Sequence, residues 1–205
     1  GEKINLGSRQ EEKGVRIATE LNEKIGKDLM IGMENSQAIA ESDIVLLTIP
    51  ISKDPQNAEK WLVEFVSGLT DHLKSGSIFV DVTVPLVFEK GFVGLHTLSE
   101  PSVTEILRKK VIPEDIPVVG AFKTLSAEKL NDTETYPTLD YDVFICGPKE
   151  PKKIVIEIAK KIPNLRPVNA GGIKYARYCE MLTAFAIGIN KRYKIKDSGY
   201  RILGI

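Results

Sequence analysis

Apolar positions follow two alternating patterns along the chain. Short contiguous apolar runs read as strands: Lys3–Gly7, Met30–Gly32, Asp43–Ile49, Ser77–Val82, Pro117–Phe122, Tyr141–Gly147 and Leu165–Val168. Between them, apolar residues at helical spacing read as amphipathic helices: Ser8 to about Lys24, Asn35–Glu41, Ala58–Leu73, Ser102–Lys110, Pro151–Ile162 and Ile173 to about Lys191. Asn35 or Ser36 can cap the second helix, and Ser102 with Glu105 has capping-box spacing. Pro85–Gly94 has neither pattern and reads as an irregular connection. Strands that alternate with helices imply βαβ units, hence an α/β fold with a mostly parallel sheet. Asp43–Ile49 is nearly all apolar before Pro50 stops it, which suits a parallel strand covered on both faces.

Composition narrows the function classes. Lys+Arg and Asp+Glu both number 28, so the formal net charge is zero. A nucleic-acid coat or a membrane-surface role, both of which favour a basic surplus, is therefore not expected. The two cysteines, Cys146 and Cys179, lie far apart in apolar runs and read as buried thiols of a reducing compartment. His72 and His96 have no Cys or His at ligand spacing, which argues against zinc. No run approaches the roughly 20 apolar residues of a membrane span. The start, Gly1-Glu2-Lys3-Ile4, does not resemble a signal peptide, so a cytoplasmic protein is expected.

One local constellation suggests chemistry. In a doubly wound nucleotide-binding sheet the second strand ends beside the adenosine ribose, where an acid selects NAD, while Arg and small hydroxyls accept the 2′-phosphate of NADP. Here the opening strand ends in Gly7-Ser8-Arg9, with Lys13 one turn into the following helix and no acid at the strand tip. Ser8 can donate a hydrogen bond, and Arg9 and Lys13 can face one dianion. The same residues, beside Glu11 and Glu12, also read as a solvated basic helix start.

The stretch Gly7-Ser8-Arg9-Gln10-Glu11-Glu12-Lys13 resembles the adenine-phosphate segment of the NADP oxidoreductases that depend on coenzyme F-420 (F420), a deazaflavin. The likeness continues in register through Gly32-Met33-Glu34-Asn35 and Ala40–Pro50. It resumes at Leu165–Gly171, at Arg177, Glu180, Leu182 and Thr183, and at Leu203-Gly204-Ile205. The resemblance implies a Rossmann-type doubly wound, mostly parallel sheet over residues 1–148, with a small C-terminal helical lobe over 149–205. It also implies hydride transfer between NADPH and F420. On the matching positions Ser8, Arg9 and Lys13 would hold the 2′-phosphate. Thr48, Ile49, Pro50 and Ile51 would line the dinucleotide, Val84 and Pro85 would sit near the nicotinamide, and Ala127 and Leu203 near the deazaflavin. A homodimer contact is implied for the last helix, where Tyr175, Tyr178 and Tyr193 read as packing residues.

The physical requirements agree. Hydride transfer between two carbon centres needs stacked rings with the reacting atoms about 3–3.5 Å apart and water kept out, which an apolar wall supplies without a general base in the transfer itself. The family's first strand and its glycine-rich phosphate turn have no counterpart in the 205 residues, so the second and fourth family strands are expected to lack their shared neighbour. Two other readings stay open: an NADPH reductase for a flavin or metal-linked acceptor, and a non-catalytic nucleotide-binding or scaffold protein. Lys123 reads either as a surface lysine or as a partner for an acidic group of the deazaflavin. Asp81 reads as a ribose ligand or as the cap of the turn after its strand.

Overall fold

The computed structural model describes residues 2–52, 54, 56–132 and 134–205. The first apolar run forms strand β1 (Ile4–Ser8), followed by helix α1 (Glu11–Ile25) and strand β2 (Met30–Glu34). β1 and β2 pair in parallel, from Ile4 opposite Met30 to Ser8 opposite Glu34. α1 buries Gly14 and Ala18 and leaves Val15 and Ile25 exposed. The cause lies on β2: a Cβ at Gly32 would stand 2.2 Å from the Gly14 carbonyl carbon. Helix and strand thus meet backbone to backbone, which only glycine permits. Helix α2 (Asn35–Ala40) follows, with Glu34 at its N-cap and no side-chain cap, so the expected capping by Asn35 or Ser36 is not made.

A second parallel sheet begins at strand β3 (Ile44–Leu47). After helix α3 (Ala58–Ser67) comes strand β4 (Ile78–Asp81), paired in parallel with β3. The segment expected to be irregular is instead an antiparallel hairpin of β5 (Leu86–Glu89) and β6 (Phe92–Leu95), turned by Gly91 at φ +80°. Helix α4 (Val103–Ile106) starts with the expected capping pair: Ser102 Oγ accepts from Glu105 N at 3.2 Å and donates to Glu105 Oε2 at 2.9 Å. It continues as one wide turn, Leu107–Val111, closed by Ile112 N–H donating to Leu107 O at 2.8 Å. Strand β7 (Val118–Gly120) then pairs in parallel on the far side of β4.

After helix α5 (Ala127–Asn131), strand β8 (Asp142–Ile145) joins β7 through a bridge between Cys146 and Gly120, in the antiparallel sense. Helix α6 (Lys149–Ala159), strand β9 (Arg166–Asn169), parallel to β8, and helix α7 (Ala176–Tyr193) complete the order. No helix among the described residues is long and apolar enough to cross a membrane.

Alternation along β4 and β7 divides the core. Val80 and Val119 face one apolar cluster, shared with Val143, Ile145 and Val155. Phe79 and Val118 face another, with Leu62, Val66, Val103 and Leu107. Because Val143 and Val155 belong to one cluster, the core runs continuously across position 148.

β1 and β3 are not hydrogen-bonded to each other. Between them lies a cleft of about 1260 Å³, lined by Ile4, Leu6, Leu46, Leu47, Ile154 and Ile158 among others. Leu47 is buried, but Leu46 is 47% exposed. The expectation that this strand is covered on both faces therefore fails at Leu46, which faces the cleft.

A buried ionic cluster ties the C-terminal ends of β4 and β7 to α7. Lys123, just beyond β7, is 4% exposed, so it is not a surface lysine. Its Nζ donates to Asp81 Oδ2 at 2.7 Å, to Glu180 Oε1 at 3.1 Å and to Thr83 O at 2.6 Å. Asp81 Oδ2 also accepts from Thr104 Oγ1 at 2.6 Å, and Glu180 Oε1 from Val103 N–H at 3.1 Å. Burial works against the Lys123 ammonium, yet Asp81 and Glu180 raise its pKa above the ordinary 10.5. For Glu180, burial and then the Asp81 charge outweigh Lys123 and push the carboxyl from 4.5 up to about 7. Two carboxylates share one cation, so one acid is left holding its proton far longer than usual. The two cysteines also meet here: the Cys179 sulfur and burial raise the Cys146 thiol above its ordinary value.

Gly32→Ala is expected to lower unfolding free energy by about 3 kcal/mol, the scale of severe overpacking, measured by urea denaturation. A second outcome concerns pH. Folded Glu180 binds its proton more tightly than the unfolded chain does, with 4.5 moved to about 7. Folding therefore takes up a proton in this window, and the stability involved falls as pH rises from about 4.5 to about 7. Glu180→Gln, neutral and of the same shape, is expected to flatten the fall in melting temperature across that range; an unaltered slope would refute the assignment.

Candidate functional site

The C-terminal ends of the parallel strands carry the candidate site, as expected for a sheet of this kind. At the end of β1, Ser8 Oγ accepts a long hydrogen bond from Gln10 N–H at 3.3 Å and, among the described residues, donates none. Arg9 and Lys13 are exposed and make no ion pair among the described residues, although Glu11 and Glu12 stand between them in sequence. The chain turns from β1 into α1 within two residues, so the hydroxyl and both cations share one corner. Two unneutralised cations beside a free hydroxyl donor fit a phosphate dianion.

Past the end of β3, Thr48 and Pro50 are exposed, while Ile49 and Ile51 are partly buried against the core. Past the end of β4, Val84 is partly buried and Pro85 is buried. This second turn is fixed from both sides. Asp81 Oδ1 accepts from Thr83 N–H at 2.9 Å and Thr83 Oγ1 at 2.6 Å, and Lys123 takes the Thr83 carbonyl. Asp81 therefore caps the turn, as one of its two readings held. Thr183 Oγ1 on α7 donates to Lys123 O at 2.8 Å and closes the frame.

Ala127 is exposed in the first turn of α5, and Leu203 lies in the C-terminal tail with 88% of its surface exposed. Ion pairs Lys196–Glu128 at 3.0 Å and Lys129–Asp197 at 3.3 Å tie α5 to the segment after α7. The tail itself is held to β8 and β9: Ile202 N–H donates to Asp142 Oδ2 at 2.7 Å, and Arg166 donates to the Ile202 and Ile205 carbonyls. Arg166 also forks onto Asp142 at 2.7 and 2.8 Å, which holds the Asp142 carboxyl below its ordinary range.

The sequence reading missed Thr83, Thr104 and Glu180 as members of the frame. Signals for two of them existed: Asp81-x-Thr83 has the spacing of a side-chain-capped turn, and Glu180 is an isolated acid in register with buried Ala176, Cys179 and Ala184 of α7. Tyr175, Tyr178 and Tyr193 are exposed rather than packed within the chain. No cluster of three or more His, Cys, Asp or Glu suited to a metal ion occurs among the described residues.

No family model matches the chain. A curated F420-dependent NADP reductase from Methanocaldococcus jannaschii is 32% identical over 99% of this chain and 88% of its own length. One of the same description from Methanothermobacter thermautotrophicus is 27% identical over the whole chain and 86% of its own length. Among solved structures, an Arthrobacter sp. FB24 protein assigned as an F420-dependent NADP reductase superposes with TM-score 0.73 and 18% identity, covering 98% of this chain and 89% of that one. A Pseudomonas aeruginosa GDP-mannose dehydrogenase superposes with TM-score 0.56 and 12% identity over 95% of this chain and 45% of that one, which supports a Rossmann-type α/β fold. The identity to the Methanocaldococcus protein, the nearly complete coverage and the shared sheet architecture together mean that the chain belongs to the F420-dependent NADP reductase family.

Proposed function

We propose that this chain takes part in hydride transfer between NADPH and F420, the chemistry named for its relatives. The observation that carries this reading is the corner of Ser8, Arg9 and Lys13, two cations without ion-pair partners beside a free hydroxyl, at the strand end where NADP is told from NAD. When bound, NADPH supplies a hydride from its nicotinamide ring and F420 accepts it. The chain's own residues would hold and shield. Ser8, Arg9 and Lys13 would bind the 2′-phosphate, and Thr48, Ile49, Pro50 and Ile51 would flank the dinucleotide. Val84 and Pro85 would form a dry wall beside the nicotinamide, kept in place by the clamped Thr83. Ala127 and Leu203 would border the deazaflavin. Such a site works by positioning and water exclusion.

The pyrophosphate calls for a turn rich in backbone N–H groups. A parallel strand seated in the cleft between β1 and β3 would deliver such a turn to the strand ends that carry Ser8 and Thr48.

Homodimerisation through α7 fits the same reading. Tyr178, Met181 and Phe185 lie on one exposed face of the helix, all at least half exposed, and Phe88 and Phe92 of the hairpin are exposed as well. Lys191 Nζ stands 4.8 Å from the Phe88 ring centroid, so hairpin and helix present adjoining surfaces. Apolar patches of this kind mark protein interfaces.

Arg9→Ala with Lys13→Ala is expected to weaken NADPH binding by about 100-fold, two charge-assisted contacts of roughly 1.5 kcal/mol each, and to leave NADH binding unchanged. NADPH fluorescence titration measures this, and equal loss for both dinucleotides would refute the phosphate corner. Phe185→Glu is expected to shift a dimer to monomer in analytical ultracentrifugation.

A further inference from the structure

His96 follows the last residue of β6 and carries a contradiction. Its ring is enclosed, with 7% of the residue exposed, yet neither Nδ1 nor Nε2 has a hydrogen-bond partner among the described residues. An imidazole carries at least one N–H donor in either charge state, and a lone-pair acceptor when neutral. Folded proteins pair almost all such buried groups, and an exception points to a partner that arrives from outside.

The position says what that partner is. The His96 main-chain N–H donates to Pro85 O at 2.8 Å, so the residue is stitched to the turn after β4. That turn is in turn fixed by Asp81 and Lys123 through Thr83. His96 thus stands beside the strand-end turn, Val84–Pro85, that would flank a nicotinamide. The side chains of that turn, Val84 and Pro85, offer no hydrogen bond. A nicotinamide ring bears a carboxamide, with one carbonyl acceptor and one NH₂ donor, and either can meet a vacant imidazole nitrogen.

Resting on the reading that NADPH binds at these strand ends, we propose that His96 recognises the nicotinamide carboxamide and fixes the rotation of that ring over the Val84–Pro85 turn. The unpaired imidazole is a cost to the free chain that binding relieves. A residue kept for packing alone would behave in the opposite way, since its removal would loosen the fold.

The test compares His96→Leu and His96→Gln with the natural chain. Each is titrated with NADPH and with adenosine 2′,5′-bisphosphate, which keeps the 2′-phosphate and adenine but has no nicotinamide. His96→Leu is expected to weaken NADPH about tenfold, the loss of one ordinary hydrogen bond, and to leave the bisphosphate unchanged. It is also expected to raise the melting temperature without ligand, because two dry nitrogens are gone. His96→Gln, with an amide donor and acceptor, is expected to retain most of the NADPH affinity. An unchanged ratio of the two affinities in His96→Leu overturns the proposal, as does equal weakening of both. If the natural chain binds the bisphosphate and NADPH no more tightly, the role of His96 fails while the phosphate corner stands. If it binds neither, the NADPH reading fails and takes this proposal with it.

Discussion

The site depends on one buried ammonium. Lys123 holds Asp81, Glu180 and the Thr83 carbonyl at once, and so joins β4, the end of β7 and α7 at a single point. A charged lysine survives there because two acids surround it; removing Asp81 would leave a buried charge undercompensated, a loss of the severe kind for buried pairs. The turn that carries Val84 and Pro85 is consequently set before any ligand arrives. Little of the binding free energy would then be spent ordering it.

The order of elements was legible because contiguous apolar runs and helical spacing are local properties. The hairpin of β5 and β6 was not legible, for a physical reason. Phe88 pairs with Val93 on one face and Phe92 with Glu89 on the other, so apolar residues occupy both faces and the period-two signal is erased. The span of α1 was legible from helical spacing, but its seat was not. Its close approach to β2 runs through Gly14 and Gly32, and a seam of glycines leaves no hydrophobic signature.

The candidate site divides along the same line. Ser8, Arg9 and Lys13 lie within one turn of chain and could be read as a group. Thr48–Ile51 and Val84–Pro85 follow strand ends, where sheets of this class take ligands. Lys123 misled because a lysine is ordinarily solvated, and its partners Asp81 and Glu180 lie 42 and 57 residues away in sequence. Ala127 and Leu203 rest on family resemblance, since nothing local distinguishes an alanine in a short helix or a leucine in a tail.

The tail is held by Arg166 and Asp142 through the main-chain atoms of Ile202 and Ile205. At Ile202 and Ile205 the anchorage is therefore blind to the side chains borne there, unlike at Tyr200 and Arg201, whose side chains bond Leu182 O and Asp140. Position 203, 88% exposed between those two anchors, can therefore drift in size and polarity across descendants without unfastening the segment, while the scaffold beneath stays the same.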